Sequence, residues 1–192
     1  MRVTREKAAE NREKIVAAAA RLFREKGFDG VGLDAIMAAA GLTHGGFYRH
    51  FRSKDALAAA AVVHAGERAT ERLGGVTSLS ELVSTYLSPR HREDRSGGCM
   101  VAALGGDAAR QDNGVRRALT TYVRARFARL ASLIGRGSAA SRRQQAIALF
   151  AGIVGAMVLA RAVEDPALSD EILAAANAVY GGAAAATPAD PR

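Results

Sequence analysis

The chain has 192 residues, 49% of them apolar and only 5% aromatic, with a formal net charge of +8. One cysteine, Cys99, excludes an intramolecular disulfide and fits a reducing compartment. Alanine-, glutamate- and arginine-rich segments without alternating β-branched runs argue for an all-α fold.

Residues 1–10 read as a polar, basic arm or as an extension of the first helix, and Arg2 and Arg5 are placed either to reach a polyanion or to sit in a disordered arm. A first helix is predicted from Asn11 to Lys26, with Ile15, Ala19, Leu22 and Phe23 on one face. Gly27 stops it. A short helix is predicted from Leu33 to Ala40, ended by Gly41, and Leu42 anchors the turn. Thr43 is positioned to cap a third short helix, His44 to Phe51. Ser53 caps a fourth, running to about Leu73.

Gly74-Gly75 is the clearest break in the chain. Ser78-Leu79-Ser80-Glu81 has the spacing of a capping box. Residues Ser88 to Gly98 read as a charged loop, and Cys99 to Arg110 as a glycine-containing helix. Val115, Leu119, Tyr122, Val123, Phe127, Leu130 and Ile134 form one apolar stripe on a long helix. Ser141 to Val163 is a helix apolar on nearly every side, ended by Pro166, and a last helix covers 168–181. The expected domains are 1–54, 55–182 and an Ala/Pro-rich disordered tail, 183–192.

Charge is unevenly spread. Residues 1–54 hold 11 Lys and Arg against 6 Asp and Glu, and the remainder 16 against 13. The N-terminal quarter is where a phosphate-facing module is expected. Three helices in about 45 residues, the last two short and joined by Ala-Gly-Leu-Thr, match a helix-turn-helix. The second helix of such a pair brings its first residues to DNA base edges. In THGGFYRHF, Phe47 and Phe51 should face inward and Tyr48 outward. Thr43, His44, Gly45, Gly46, Tyr48, Arg49, His50 and Lys54 are the candidate DNA contacts. Two adjacent glycines cost helix stability, roughly 1 kcal/mol each against alanine. Either the backbone approaches DNA closely there, or the segment is a loose turn.

The run from Ile15 to Leu57 closely resembles the N-terminal domain of the tetracycline-repressor (TetR) family of bacterial regulators. Its marks are Leu22, Phe23, Gly27 and Phe28, the AAAGLTHGGFY core and the closing FYRHFRSKDAL. The resemblance implies a homodimer carrying two DNA-binding domains and an all-helical ligand-binding and dimerisation domain, with repression of a palindromic operator relieved by a small-molecule effector. It also implies phosphate contacts by Tyr48, His50 and Lys54. One departure is Gly32, where the family has a capping Ser or Thr; glycine is a weaker cap and supplies no hydroxyl for phosphate.

The resemblance makes the last two long helices the expected dimer surface, with Phe150, Val154, Met157, Val158, Ile172 and Val179 in it; burial inside one chain is the alternative reading. Tyr86, Met100, Leu104, Tyr122, Arg126 and Met157 are candidate ligand-lining residues, with core packing as the alternative for each. Cys99, after Gly97-Gly98 and near Arg90, Arg92 and Arg95, is either a small buried apolar residue or a redox and electrophile sensor. Gly98-Cys99-Met100 resembles a Gly-Cys-aliphatic sequence of the family, a few members of which sense oxidants or electrophiles.

His44, His50, His64 and His91 have no metal-ligand spacing, and neither a cofactor motif nor a nucleophile–base pair suggests an enzyme. The longest apolar run, Ala146 to Ala160, is short for a bilayer, and the N-terminus has no apolar signal core. A cytoplasmic protein without membrane contact is expected. A non-specific DNA-packaging protein is the rival to a sequence-specific regulator.

Overall fold

A computed structural model of the chain describes residues 4–185, so Arg2 and the tail from residue 186 lie outside the described residues. Among these the elements are all helical: α1 (Arg5–Lys26), α2 (Leu33–Ala39), a 3₁₀ segment (His44–Arg49), α3 (Lys54–Leu73), α4 (Leu79–Tyr86), α5 (Pro89–Glu93), α6 (Met100–Ala108), α7 (Asn113–Leu133), α8 (Ala139–Ala162) and α9 (Pro166–Ala185). The chain divides into two compact units, residues 1–69 with 95–122, and residues 70–94 with 123–192. Helices α3 and α7 each run through both.

Local chemistry explains most boundaries. Helix α1 starts at Arg5, ahead of the expected Asn11, because Thr4 Oγ1 accepts from the Lys7 N–H at 3.2 Å. It stops at Gly27, which has φ 79°. Ser53, Ser78 and Ser138 cap α3, α4 and α8 in the same way, at 3.1, 3.1 and 3.2 Å. The Ser88–Gly98 stretch is not entirely loop: Ser88 accepts from the His91 N–H at 3.2 Å and Pro89 occupies the first turn, where its missing N–H is harmless, so Pro89–Glu93 forms α5. Pro166 lies at the start of α9 for the same reason, and α9 continues past Gly182 to Ala185.

In the first unit, Ile15, Ala19 and Phe23 of α1 are buried together with Phe28, Ile36, Met37, Phe47 and Leu57. Phe23 and Phe28 meet at 5.3 Å between ring centroids. Helix α6 belongs to this unit as well. Arg24 Nε donates to the Ser96 carbonyl, and a Cβ on Gly27 would lie 2.9 Å from Asp107 Oδ2.

In the second unit α8 packs on α9, and α9 on α4. Helix α8 is long and apolar enough to cross a membrane, contrary to the reading from uninterrupted run length. One face of it is buried, with Ala146, Leu149, Phe150, Ile153, Met157 and Ala160, and the other carries exposed Ile147, Val158 and Leu159. Gly152 accommodates Tyr180 of α9, whose hydroxyl would lie 1.9 Å from a Cβ placed there. At the far end Arg161 donates to the carbonyls of His91, Arg92 and Asp94 at 2.7, 3.1 and 3.3 Å, satisfying the end of α5.

Burial pushes the His91 imidazole below its ordinary pKa of 6.5; its hydrogen bond to the Tyr86 carbonyl, 2.7 Å, opposes this, and the Arg161 charge reinforces it. Unfolding therefore takes up a proton once the pH drops below 6.5. The stability that neutral His91 contributes is complete above that value and is lost as the pH falls through the depressed folded pKa. The melting temperature is expected to drop between about pH 7.5 and about pH 5.5, and His91→Gln to shrink that drop. An undiminished drop in His91→Gln would assign it to other groups.

Candidate nucleic-acid interface

Helix α2 ends through its own backbone. The Leu42 N–H reaches the Met37 carbonyl at 2.9 Å and the Gly41 N–H reaches Ala38 at 3.0 Å, with Gly41 at φ 70°. This is the paired bonding of a Schellman cap, and it needs the left-handed residue that glycine supplies. The turn delivers the chain directly to Thr43 and the 3₁₀ segment.

The segment is not the α-helix expected from sequence. The Gly46 N–H bonds to the Thr43 carbonyl at 3.1 Å and the His50 N–H to Phe47 at 2.9 Å, the three-residue spacing of a 3₁₀ turn. Two glycines weaken the α form, and Thr43 adds no side-chain cap bond, correcting its expected role. Gly32 likewise caps α2 without a side-chain bond.

Phe47 and Phe51 face inward as expected. Phe47 is fully buried, and the two rings stack at 6.0 Å between centroids. Arg12 of α1 lies over the Phe51 ring at 4.8 Å, a cation–π contact that fixes the end of the segment against α1. Tyr48 is 67% exposed and stands edge-on against Phe47 at 5.1 Å, so its hydroxyl is held on the surface. Thr43, His44, Gly45 and Arg49 are exposed, and Gly46, His50 and Lys54 half-buried. The expected DNA contacts thus form one continuous stretch with its aromatic base inside and its polar groups outside.

Neither a positive φ nor a lack of space within the protein requires the glycine pair. Neither residue has the positive φ that favours glycine. A Cβ on Gly45 would meet nothing within 4 Å, and one on Gly46 only Met37 Cε at 3.7 Å, an ordinary contact.

One partner was missed from sequence. Asp34, in the first turn of α2, places Oδ1 against Nδ1 of His44. No periodicity links residues ten apart across a turn.

The other expected sites fall in both units. Met100, Leu104 and Tyr122 are buried in the first; Arg126 and Met157 are buried and Tyr86 half-buried in the second. Arg126 donates to Thr70 Oγ1 at 3.4 Å. Cys99 is buried at the residue preceding α6. Of the expected dimer residues, Val158 and Val179 are exposed and Val154 and Ile172 half-buried, whereas Phe150 and Met157 are buried within the single chain. Helix α8 is apolar nearly all round, so its sequence alone could not tell these two sides apart.

Residues 15–61 match the family model of bacterial regulatory proteins, tetR family. Residues 75–176, over half of the chain, match that of the tetracycline repressor-like C-terminal domain. Among solved structures, the reduced form of NemR from Escherichia coli is 26% identical, with a TM-score of 0.73 over 94% of this chain and 99% of that one. A TetR transcriptional regulator from Chloroflexus aurantiacus is 27% identical, with a TM-score of 0.73 over 92% and 95%. A TetR-family regulator from Cytophaga hutchinsonii shares the fold at 23% identity, with a TM-score of 0.74 over 92% and 96%. No curated protein matches. With a largely exposed 3₁₀ segment after α2, an all-helical scaffold and both family domains present in order, the chain belongs to the TetR family of DNA-binding bacterial transcriptional regulators.

Proposed function

We propose that the protein is a repressor in the cytoplasm that binds a palindromic operator as a homodimer and leaves it when a small-molecule effector binds. The observation that carries the DNA reading is the glycine pair between exposed His44 and exposed Tyr48, with Gly45 itself exposed and nothing within 4 Å of a Cβ built on it. His44 and the backbone at Gly45 and Gly46 are the base-proximal groups. Tyr48, Arg49, His50 and Lys54 position the segment on phosphate.

The homodimer is supported by two apolar stripes in the second unit. Ile147, Val154 and Val158 recur at helical spacing on α8, and Leu168, Ile172 and Val179 on α9, each exposed or half-buried. Two-fold pairing of this face would present two reading segments to a palindrome. Release by an effector rests on membership of the family.

Tyr48→Phe and Lys54→Ala are expected to weaken binding to all sequences alike, and Lys54→Ala to reduce the slope of log affinity against log salt by about 0.9 for each phosphate that is no longer neutralised. His44→Ala is expected to change sequence preference. Selection of bound sequences from a random pool, followed by salt titration on one of them, measures all three effects together with the wild-type operator. An inverted repeat supports the dimer. Equal binding to the operator and its scrambled form would instead favour a non-specific DNA-packaging role.

A further inference from the structure

The contact between Asp34 and His44 lies at the start of the 3₁₀ segment and is not needed to hold the fold. The two side chains are 86% and 50% exposed, and exposed ion pairs contribute little to stability. Asp34 already has a favourable place in the first turn of α2, where an acidic residue complements the helix dipole, whether or not His44 is present. A carboxylate on a DNA-facing surface also repels phosphate. Its presence beside the reading segment therefore calls for a compensating gain in something other than general affinity.

Geometry supplies one. Asp34 Oδ1 meets Nδ1 of His44. An ionised carboxylate only accepts, so the hydrogen between them belongs to Nδ1. The ring is held at that nitrogen, and Nε2 is left as the ring nitrogen available to DNA. A side chain held at one end offers a hydrogen-bonding atom at a defined place, whereas a freely rotating imidazole spreads it over several base-pair positions and strands.

We propose that Asp34 is a specificity-determining positioning residue, which orients Nε2 of His44 toward one base edge in each half-site while making general DNA binding weaker. This rests on the reading of His44 as a base-proximal group.

The test is competition binding on the operator, on operators altered one base pair at a time, and on scrambled DNA. Removing Asp34 in Asp34→Ala should reduce discrimination at the base pair read by His44 by about 3- to 10-fold, a part of what a good side chain–base contact provides. In the same variant, affinity for scrambled DNA should rise about 2- to 5-fold as the phosphate repulsion disappears. Asp34→Asn keeps an oxygen acceptor without the charge, so it should retain the discrimination and still bind scrambled DNA more tightly. His44→Asn, which keeps a group near Nδ1 but has none at Nε2, should lose discrimination although Asp34 is intact.

If His44→Ala changes no base preference, the base-reading role of His44 fails, and the proposal with it. If His44→Ala abolishes a preference that Asp34→Ala leaves intact, the proposal alone is overturned. Uniformly weaker binding of Asp34→Ala to every DNA would reduce Asp34 to a helix-stabilising residue and would also overturn it. Both side chains are exposed, so thermal melting of each variant should stay near wild type and confirm that binding changes arise at the interface.

Discussion

Gly45→Ala is expected to raise the melting temperature and to lower operator affinity in the same variant. Alanine restricts the unfolded chain and favours helical backbone, a gain of up to about 1 kcal/mol, or about 2 °C in a chain of this size. Nothing within 4 Å opposes the added methyl, and the backbone there lies outside the positive-φ region. The protein itself would thus be better off without this glycine. A methyl at an exposed point between His44 and Tyr48 does, however, hold the backbone off any surface docked there. Affinity should fall by about tenfold, equivalent to about 1.4 kcal/mol. Thermal melting and operator titration of one preparation decide the matter. Unchanged affinity with raised stability would leave the glycine pair as a turn feature and remove the central support for close DNA approach.

Phe47→Ala should act in the opposite sense, damaging stability and binding together. Phe47 has no exposed surface, stacks on Phe51 and supports Tyr48 edge-on. Truncating such a ring typically costs about 3–5 kcal/mol, because the lost burial is compounded by the cavity left behind. Whole domains are stable by only about 5–15 kcal/mol, so a large share of the stability would go. The truncation would also free Tyr48 and the end of the segment that Arg12 holds through Phe51. Operator affinity is expected to fall by more than about 100-fold, with Phe47→Leu recovering much of both properties. Chemical denaturation followed alongside operator binding tests this. A denaturation midpoint unmoved by Phe47→Ala would contradict its place in the core.

The two variants separate the inner and outer sides of one six-residue segment. Its inner side is a packing problem solved by Phe47; its outer side is kept bare by glycine. This division was legible in the sequence, since Phe47 and Phe51 are four residues apart and Tyr48 is one position off that line. The 3₁₀ form was not. Helical spacing does not distinguish a 3₁₀ turn from an α turn over so few residues, and the glycines and the lack of a Thr43 side-chain bond tipped the balance.

By itself the sequence determined the all-α class, most helix boundaries, the stops at Gly27 and Gly41, the caps at Ser53 and Ser78, and the resemblance to the family. These depend on chemistry within about one helical turn of each residue, so neighbours in sequence are sufficient to specify them. Tertiary structure alone decided which side of α8 is buried, that α6 packs with the first unit, that Arg161 anchors α5 from 69 and 70 residues away, and that Asp34 meets His44. The first of these was hidden because a helix apolar on every side carries no directional pattern. The others were hidden because contacts between distant residues are set by how packed elements bring them together, and no local spacing encodes that distance.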